Sequence, residues 1–148
     1  MANFDNNRFK SNNQSWETPD NLFSKIDQEF HFTRDVCAAD TNAKCKEYWT
    51  AENSCLDKTW DGVNWMNPPY VNMKLFIKKA FDERNNAVTV CLIPARTNTR
   101  WWHEYCMKGE IYFICGRPKF KGCKHGLPQP LALVVFGRDS GIMKSFVL

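Results

Sequence analysis

Apolar positions along the chain follow two periods. Leu22, Phe23, Ile26 and Phe30 recur at helical spacing, so a helix with one apolar face is expected after Trp16-Glu17-Thr18-Pro19. Thr18 suits the N-cap, Pro19 the first helical position, and Asp20 complements the helix dipole. A second helix is expected over Met73–Arg84, with Leu75, Phe76, Lys79 and Ala80 in register and its Leu75/Phe76/Ile77 face in the core. A third is expected over Thr99–Met107, and a helical turn over Asn42–Lys46. Runs of strand length fall at Phe32–Ala38, Tyr48–Thr50, Val63–Met66, Val88–Ile93, Glu110–Cys115 and Leu131–Phe136. Strands alternating with helices predict an α/β domain with a largely parallel sheet. Gly116 to Pro130 holds three glycines and three prolines and is expected to be a loop or irregular hairpin.

Composition narrows this picture. The chain has 148 residues, 43% hydrophobic and 24% charged, which fits one compact domain and excludes a disordered, collagen-like or coiled-coil chain. Residues 1–15 are polar and are expected to form a loose arm ahead of a domain over 16–148. The longest apolar runs, such as Leu131–Phe136, have six residues. A membrane span needs about 20, so no membrane partner is expected. Neither is a secretory signal, and seven cysteines without a C-x-x-C pair fit a reducing cytoplasm. Charge is divided unevenly. Met1–Met73 carries 7 basic and 11 acidic residues, a net of −4, whereas Lys74–Leu148 carries 13 and 5, a net of +8. Either the second half faces a polyanion or its basic surface merely aids solubility.

The segment with the most chemistry is Asn67-Pro68-Pro69-Tyr70, set between the Val63–Met66 strand and the following helix. Two prolines cannot join a ladder, so the strand must stop there. In open α/β sheets ligands bind beyond the carboxyl ends of strands, where this loop would lie. Asn67 offers a side-chain carbonyl, Pro68 a backbone carbonyl and Tyr70 a flat ring. Two convergent acceptors suit a planar amino group such as that of adenine. Holding both its hydrogens favours the pyramidal nitrogen that an electrophile needs, and the ring can stack on a base, for about 1–3 kcal/mol. The competing reading is a rigid Pro-Pro turn that only ends the strand.

Asn67-Pro68-Pro69-Tyr70 resembles the catalytic motif of amino-group methyltransferases that use S-adenosylmethionine. The wider chain resembles the phage-type DNA N6-adenine methyltransferases, the small Dam-like family, over about Trp16 to Phe136. The matching pieces, in order, are Trp16–Pro19, Phe32–Ala39, Asn42–Cys45, the Asn-Pro-Pro-Tyr loop, Pro94–His103 and Gly116–Phe120. This resemblance implies a Rossmann-like class I methyltransferase fold and methyl transfer to the N6 amine of a flipped adenine in DNA. It places Asp35, with the turn through Cys37 and Ala38, beside the methionine moiety of the cofactor. It has Trp16, Thr18 and Pro19 closing that pocket from the N-terminal side. Asn67, Pro68 and Tyr70 would hold the adenine, with Asn67 also bordering the cofactor. The chain departs from the pattern in three ways. Cys37-Ala38-Ala39 stands where many methyltransferases have a glycine-rich turn. An acid often precedes the leucine near Asn53-Ser54-Cys55-Leu56, so Glu52 or Asp57 must bind the ribose or the contact is missing. The length leaves little room for a separate target-recognition domain.

Arg96, Arg100, Arg117, Lys119, Lys121 and Lys124 lie in a stretch, Arg96 to Lys124, with seven basic and two acidic residues. With Trp101, Trp102 and Phe120 interleaved it is a candidate DNA-facing surface; the alternative is a solvated loop with core tryptophans. His103 with Cys106, and Cys115 with Cys123 and His125, match no standard zinc spacing, so no metal is expected. The cysteines are expected to be small apolar packers, not nucleophiles. Methylation of RNA adenine or of protein glutamine, and a decayed DNA-binding module, remain alternative readings of the same residues.

Overall fold

The computed structural model describes residues 17–120 and 129–148. Three helices, α1 (Asp20–Phe30), α2 (Met73–Asp82) and α3 (Arg100–Glu104), accompany six strands. The strands are β1 (Arg34–Asp35), β2 (Val63–Met66), β3 (Val88–Pro94), β4 (Glu110–Cys115), β5 (Leu131–Phe136) and β6 (Met143–Val147). They form one sheet in the order β1-β2-β3-β5-β4-β6. β1, β2 and β3 are parallel, β5 is antiparallel to both β3 and β4, and β6 is parallel to β4. Only β5 is therefore reversed, and the loops after β1, β2, β3 and β4 all leave the same end of the sheet.

Side-chain alternation along the strands builds two cores. On β5, Leu131, Leu133 and Val135 face one side with Val90, Leu92 and Trp65, where α1 packs through Leu22 and Ile26. Ala132, Val134 and Phe136 face the other with Cys91, Ile93 and Met66, where α2 packs through Met73, Ile77 and Ala80. Each fully buried Leu, Ile or Val contributes about 1.5–3 kcal/mol. Trp102 and Phe120 are both core residues, 2% and 1% exposed, which corrects their expected place on a DNA-facing surface. On α2 only Ile77 of the expected Leu75/Phe76/Ile77 face is buried, while Leu75 is 50% exposed.

The architecture is the expected α/β domain of methyltransferase-like form, and three strands, Val63–Met66, Glu110–Cys115 and Leu131–Phe136, fall where the apolar pattern puts them. Elsewhere local pattern gives way to tertiary context. Phe32–Ala38 contracts to a two-residue strand, because only Arg34 and Asp35 find ladder partners on β2. Tyr48–Thr50 contributes a single bridge, Asp35 to Tyr48, and Asn42–Lys46 is an irregular turn without helix. The helix expected over Thr99–Met107 divides into α3, whose Thr99 Oγ1 accepts from the Trp102 amide at 3.3 Å, and a separate 3-10 turn at Cys106–Lys108. Thr18 does not cap α1: Pro19 holds the N-cap position without a side-chain bond, and the Thr18 hydroxyl is engaged elsewhere. β6 is an additional edge strand with no counterpart in the expectation, its side chains being mostly exposed.

Candidate active site

The loop after β2 turns the chain from strand into helix within six residues. Gly62 enters β2 at φ +67°, where a Cβ would meet Thr33 Oγ1 at 2.5 Å, so the close approach of the two chain segments requires glycine. Beyond Met66, Asn67 and buried Pro68 end the ladder, and Asn72, left-handed at φ 58° and ψ 30°, opens α2. The loop thus stands at the carboxyl end of β2 beside the end of β1.

There a polar cleft is lined by Glu17, Thr18, Asp35, Cys37, Asn42, Lys44, Trp65 and Asn67. Asn67 Nδ2 donates to Thr18 Oγ1 at 3.0 Å across 49 residues of chain. Thr18 is only 1% exposed, so this bond is sheltered from water. The same amide group carries an acceptor, Oδ1.

Asp35 is also buried. Its Oδ1 accepts from the Cys37 amide at 3.2 Å and its Oδ2 from the Lys44 amide at 3.0 Å. Burial raises its carboxyl above the ordinary range, and the two backbone donors and the Lys44 charge offset this only in part. The Lys44 ammonium is bonded to Asp20 Oδ1 at 2.9 Å. A second cavity, of about 250 Å³, adjoins the cleft through Cys37 and Asn42. Its lining is mainly apolar, with Val36, Ala38, Ala39, Pro69 and Phe76 among its residues, and Thr50 and Ser54 bringing hydroxyls. Neither Glu52 nor Asp57 lines it.

The remaining candidates occupy two further grooves. Tyr70, Arg96 and Trp101 line one of about 220 Å³, together with Asn72 and Lys74. Arg117 and Lys119 line another of about 280 Å³ against Pro19, Asn21 and Lys25 of the α1 segment. The structure therefore brings Asp35, Cys37, Thr18 and Asn67 together, puts Ala38 in the adjoining cavity, and has Pro19 lining a different groove. Arg100 lines none of these and lies 3.9 Å from Glu104. Trp16 and Lys121, like Lys124, Cys123 and His125, are outside the described residues, as is the 1–15 arm. Cys55, Cys91 and Cys106 are buried, whereas Cys115 is exposed. Sequence reasoning missed Lys25, Lys74, Asn72 and Phe76 as groove or cavity residues; only the fold brings them to the loop ends.

An α/β domain whose strand-to-helix loop carries an asparagine amide to the edge of such a cleft is methyltransferase-like in class. Consistent with this, the family described as DNA N-6-adenine-methyltransferase (Dam) matches residues 5–129, and the chain belongs to it. The DNA N-6-adenine-methyltransferase of Escherichia phage T1 is 34% identical over 95 residues, 60% of this chain and 39% of that protein. That of Haemophilus phage HP1 (strain HP1c1) is 34% identical over 115 residues, 73% of this chain and 66% of that protein. The chain spans less than two thirds of the length of each.

Proposed function

We propose that this chain is a DNA adenine N6-methyltransferase that takes its methyl group from S-adenosylmethionine. The observation that carries the reading is the Asn67 amide, fixed by Thr18 at the carboxyl end of β2 and bordering the same cleft as buried Asp35. The donor set suits the cofactor. An acidic group at one end matches an ammonium, and an apolar cavity with hydroxyls adjoining it matches a base and sugar. When bound, the cofactor supplies an electrophilic methyl group on a sulfonium.

The rest of the work belongs to the protein. Asp35 holds the amino-acid end of the cofactor, the turn through Cys37 and Ala38 gives it room, and Phe76 and Pro69 cover its base. Asn67 Oδ1 and the Pro68 carbonyl accept the two amino hydrogens of the adenine, which withdraws the nitrogen lone pair from the ring and aims it into the cleft. Tyr70 stacks on the base, and unstacking it from the duplex costs a few kcal/mol. Arg96, Arg117 and Lys119, on loops at the same end of the sheet, hold DNA phosphates. Much of the rate then comes from alignment of amine and methyl. No helix among the described residues is long and apolar enough to cross a membrane. We place the chain in a host cytoplasm, where a phage would present its DNA.

The test is mass spectrometry of nucleosides from plasmid DNA prepared in cells that lack adenine methylation and express the chain. N6-methyldeoxyadenosine is expected, and Asn67→Ala should remove it. Its absence from DNA, with methyl groups found in RNA or on protein glutamine, would overturn the DNA reading.

A further inference from the structure

We propose that Lys44 receives the carboxylate of the cofactor's amino-acid end, so that the polar cleft reads both charges of a zwitterion. This rests on the reading of S-adenosylmethionine as the methyl donor. An α-amino acid carries an ammonium and a carboxylate on one carbon, and a site that meets the first must also accommodate the second. Two carboxyl groups, Glu17 and Asp35, line the cleft and would repel that carboxylate if nothing opposed them. Lys44 is the one cation among the described residues that line it.

Three features suit Lys44 to that task. Its amide donates to Asp35 Oδ2 at 3.0 Å, so one residue grips the acid and carries the cation. The two charges feel each other, since the Lys44 charge pulls the Asp35 carboxyl down against its burial. The Lys44 side chain is 10% exposed, which limits screening of its charge by water. Its ammonium has three donor hydrogens. One goes to Asp20 Oδ1 at 2.9 Å, and Glu17 Oε1, at 3.8 Å, is beyond hydrogen-bond reach. Donor capacity therefore remains for an incoming carboxylate, and the Asp20 side chain, 73% exposed, is a solvated and weak competitor. A Lys44 that merely tied its turn to α1 would be indifferent to the charges of the ligand.

The experiment is calorimetry of the full chain with three ligands. S-adenosylmethionine carries both charged groups of the amino acid, its decarboxylated form keeps the ammonium alone, and 5′-methylthioadenosine has neither. The wild type is expected to bind S-adenosylmethionine on the order of ten- to hundredfold more tightly than the decarboxylated form, the range of a charge-assisted hydrogen bond. The sign is informative, because losing the carboxylate makes the ligand more positive, and an acidic cleft without a carboxylate receptor would prefer it. Lys44→Met is expected to erase the preference, weakening S-adenosylmethionine while the decarboxylated form stays within about twofold. Lys44→Gln should repeat this if the methionine disturbs folding, and the wild-type preference needs no variant at all. Asp35→Asn, by contrast, should weaken both charged ligands and spare 5′-methylthioadenosine. Equal wild-type affinity for the first two ligands, or tighter binding of the decarboxylated form, would overturn the proposal. So would a Lys44→Met loss of the same size for all three, which is the mark of a structural clip. A wild-type chain that bound none of the three would instead remove the cofactor reading, and the role of Lys44 with it.

Discussion

Among the described residues the sheet buries two carboxyl groups, and they are treated in opposite ways. Asp35 closes β1 at the carboxyl end and Glu110 opens β4 at the amino end, 3% and 1% exposed. Glu110 takes a two-pronged bond from Arg138, Nε to Oε2 and a terminal nitrogen to Oε1, both 2.9 Å. Tyr112 adds its hydroxyl at 2.7 Å. Burial alone would raise the Glu110 carboxyl, but these partners bring it below its usual value. Asp35 has backbone donors and a cation committed elsewhere, and it stays above its usual value. A compensated charge at the amino end is scaffold. The proposed function gives the less compensated Asp35 carboxyl, beside a cleft at the carboxyl ends of the strands where α/β sheets place ligands, the task of meeting the cofactor's ammonium.

The largest effect that could break this contrast is on stability. Arg138→Met leaves Glu110 buried without its cation and is expected to lower unfolding free energy by about 3 kcal/mol in a urea titration. Asp35→Asn should cost clearly less. A larger loss from Asp35→Asn would make that residue the structural one. Next comes cofactor binding. Loss of the Asp35 charge is expected to weaken S-adenosylmethionine about ten- to hundredfold by calorimetry, the range of a charge-assisted hydrogen bond, while Arg138→Met leaves it near wild type.

The pH dependence of the two groups runs in opposite senses. The Asp35 carboxyl is raised on folding, so its stabilising contribution is complete below its unfolded value and is lost as pH rises through its folded value. Glu110 is lowered, so its contribution is present above its unfolded value and is lost as pH falls through its folded value. Urea midpoints of wild type against Asp35→Asn and Glu110→Gln, across the acid range, should diverge in opposite directions with pH. Cofactor affinity should weaken on acidification, at a higher pH than an aspartate at its usual value would give, because the charged form of Asp35 is the one that binds an ammonium.

The smallest effect concerns the surface. Arg117→Ala or Lys119→Ala should leave stability within about 0.5 kcal/mol. Each should reduce the slope of log affinity for DNA against log salt by about 1. An unchanged slope would remove that groove from the DNA path.

Continuous apolar strands such as Leu131–Phe136 were legible because burial on both faces leaves no other reading, and Asn67-Pro68-Pro69-Tyr70 because two prolines force a break. β1 was misjudged in length because its extent is set by partners on β2, a feature no local pattern carries. β6 was missed since its side chains lie mostly outside the core. The bond from Asn67 to Thr18 joins residues 49 positions apart, and a threonine before a proline and an aspartate reads locally as a helix cap. Lys25 and Lys74 carried no signal beyond their charge; the groove that each lines exists only in the folded chain.

The most direct test uses the purified chain, S-adenosylmethionine and two duplexes alike except that one carries adenine and the other purine, which lacks the exocyclic amine. The proposed function requires methylated nucleoside from the adenine duplex alone, lost in Asn67→Ala. Methyl transfer to both duplexes, or to the adenine duplex without dependence on Asn67, would contradict it.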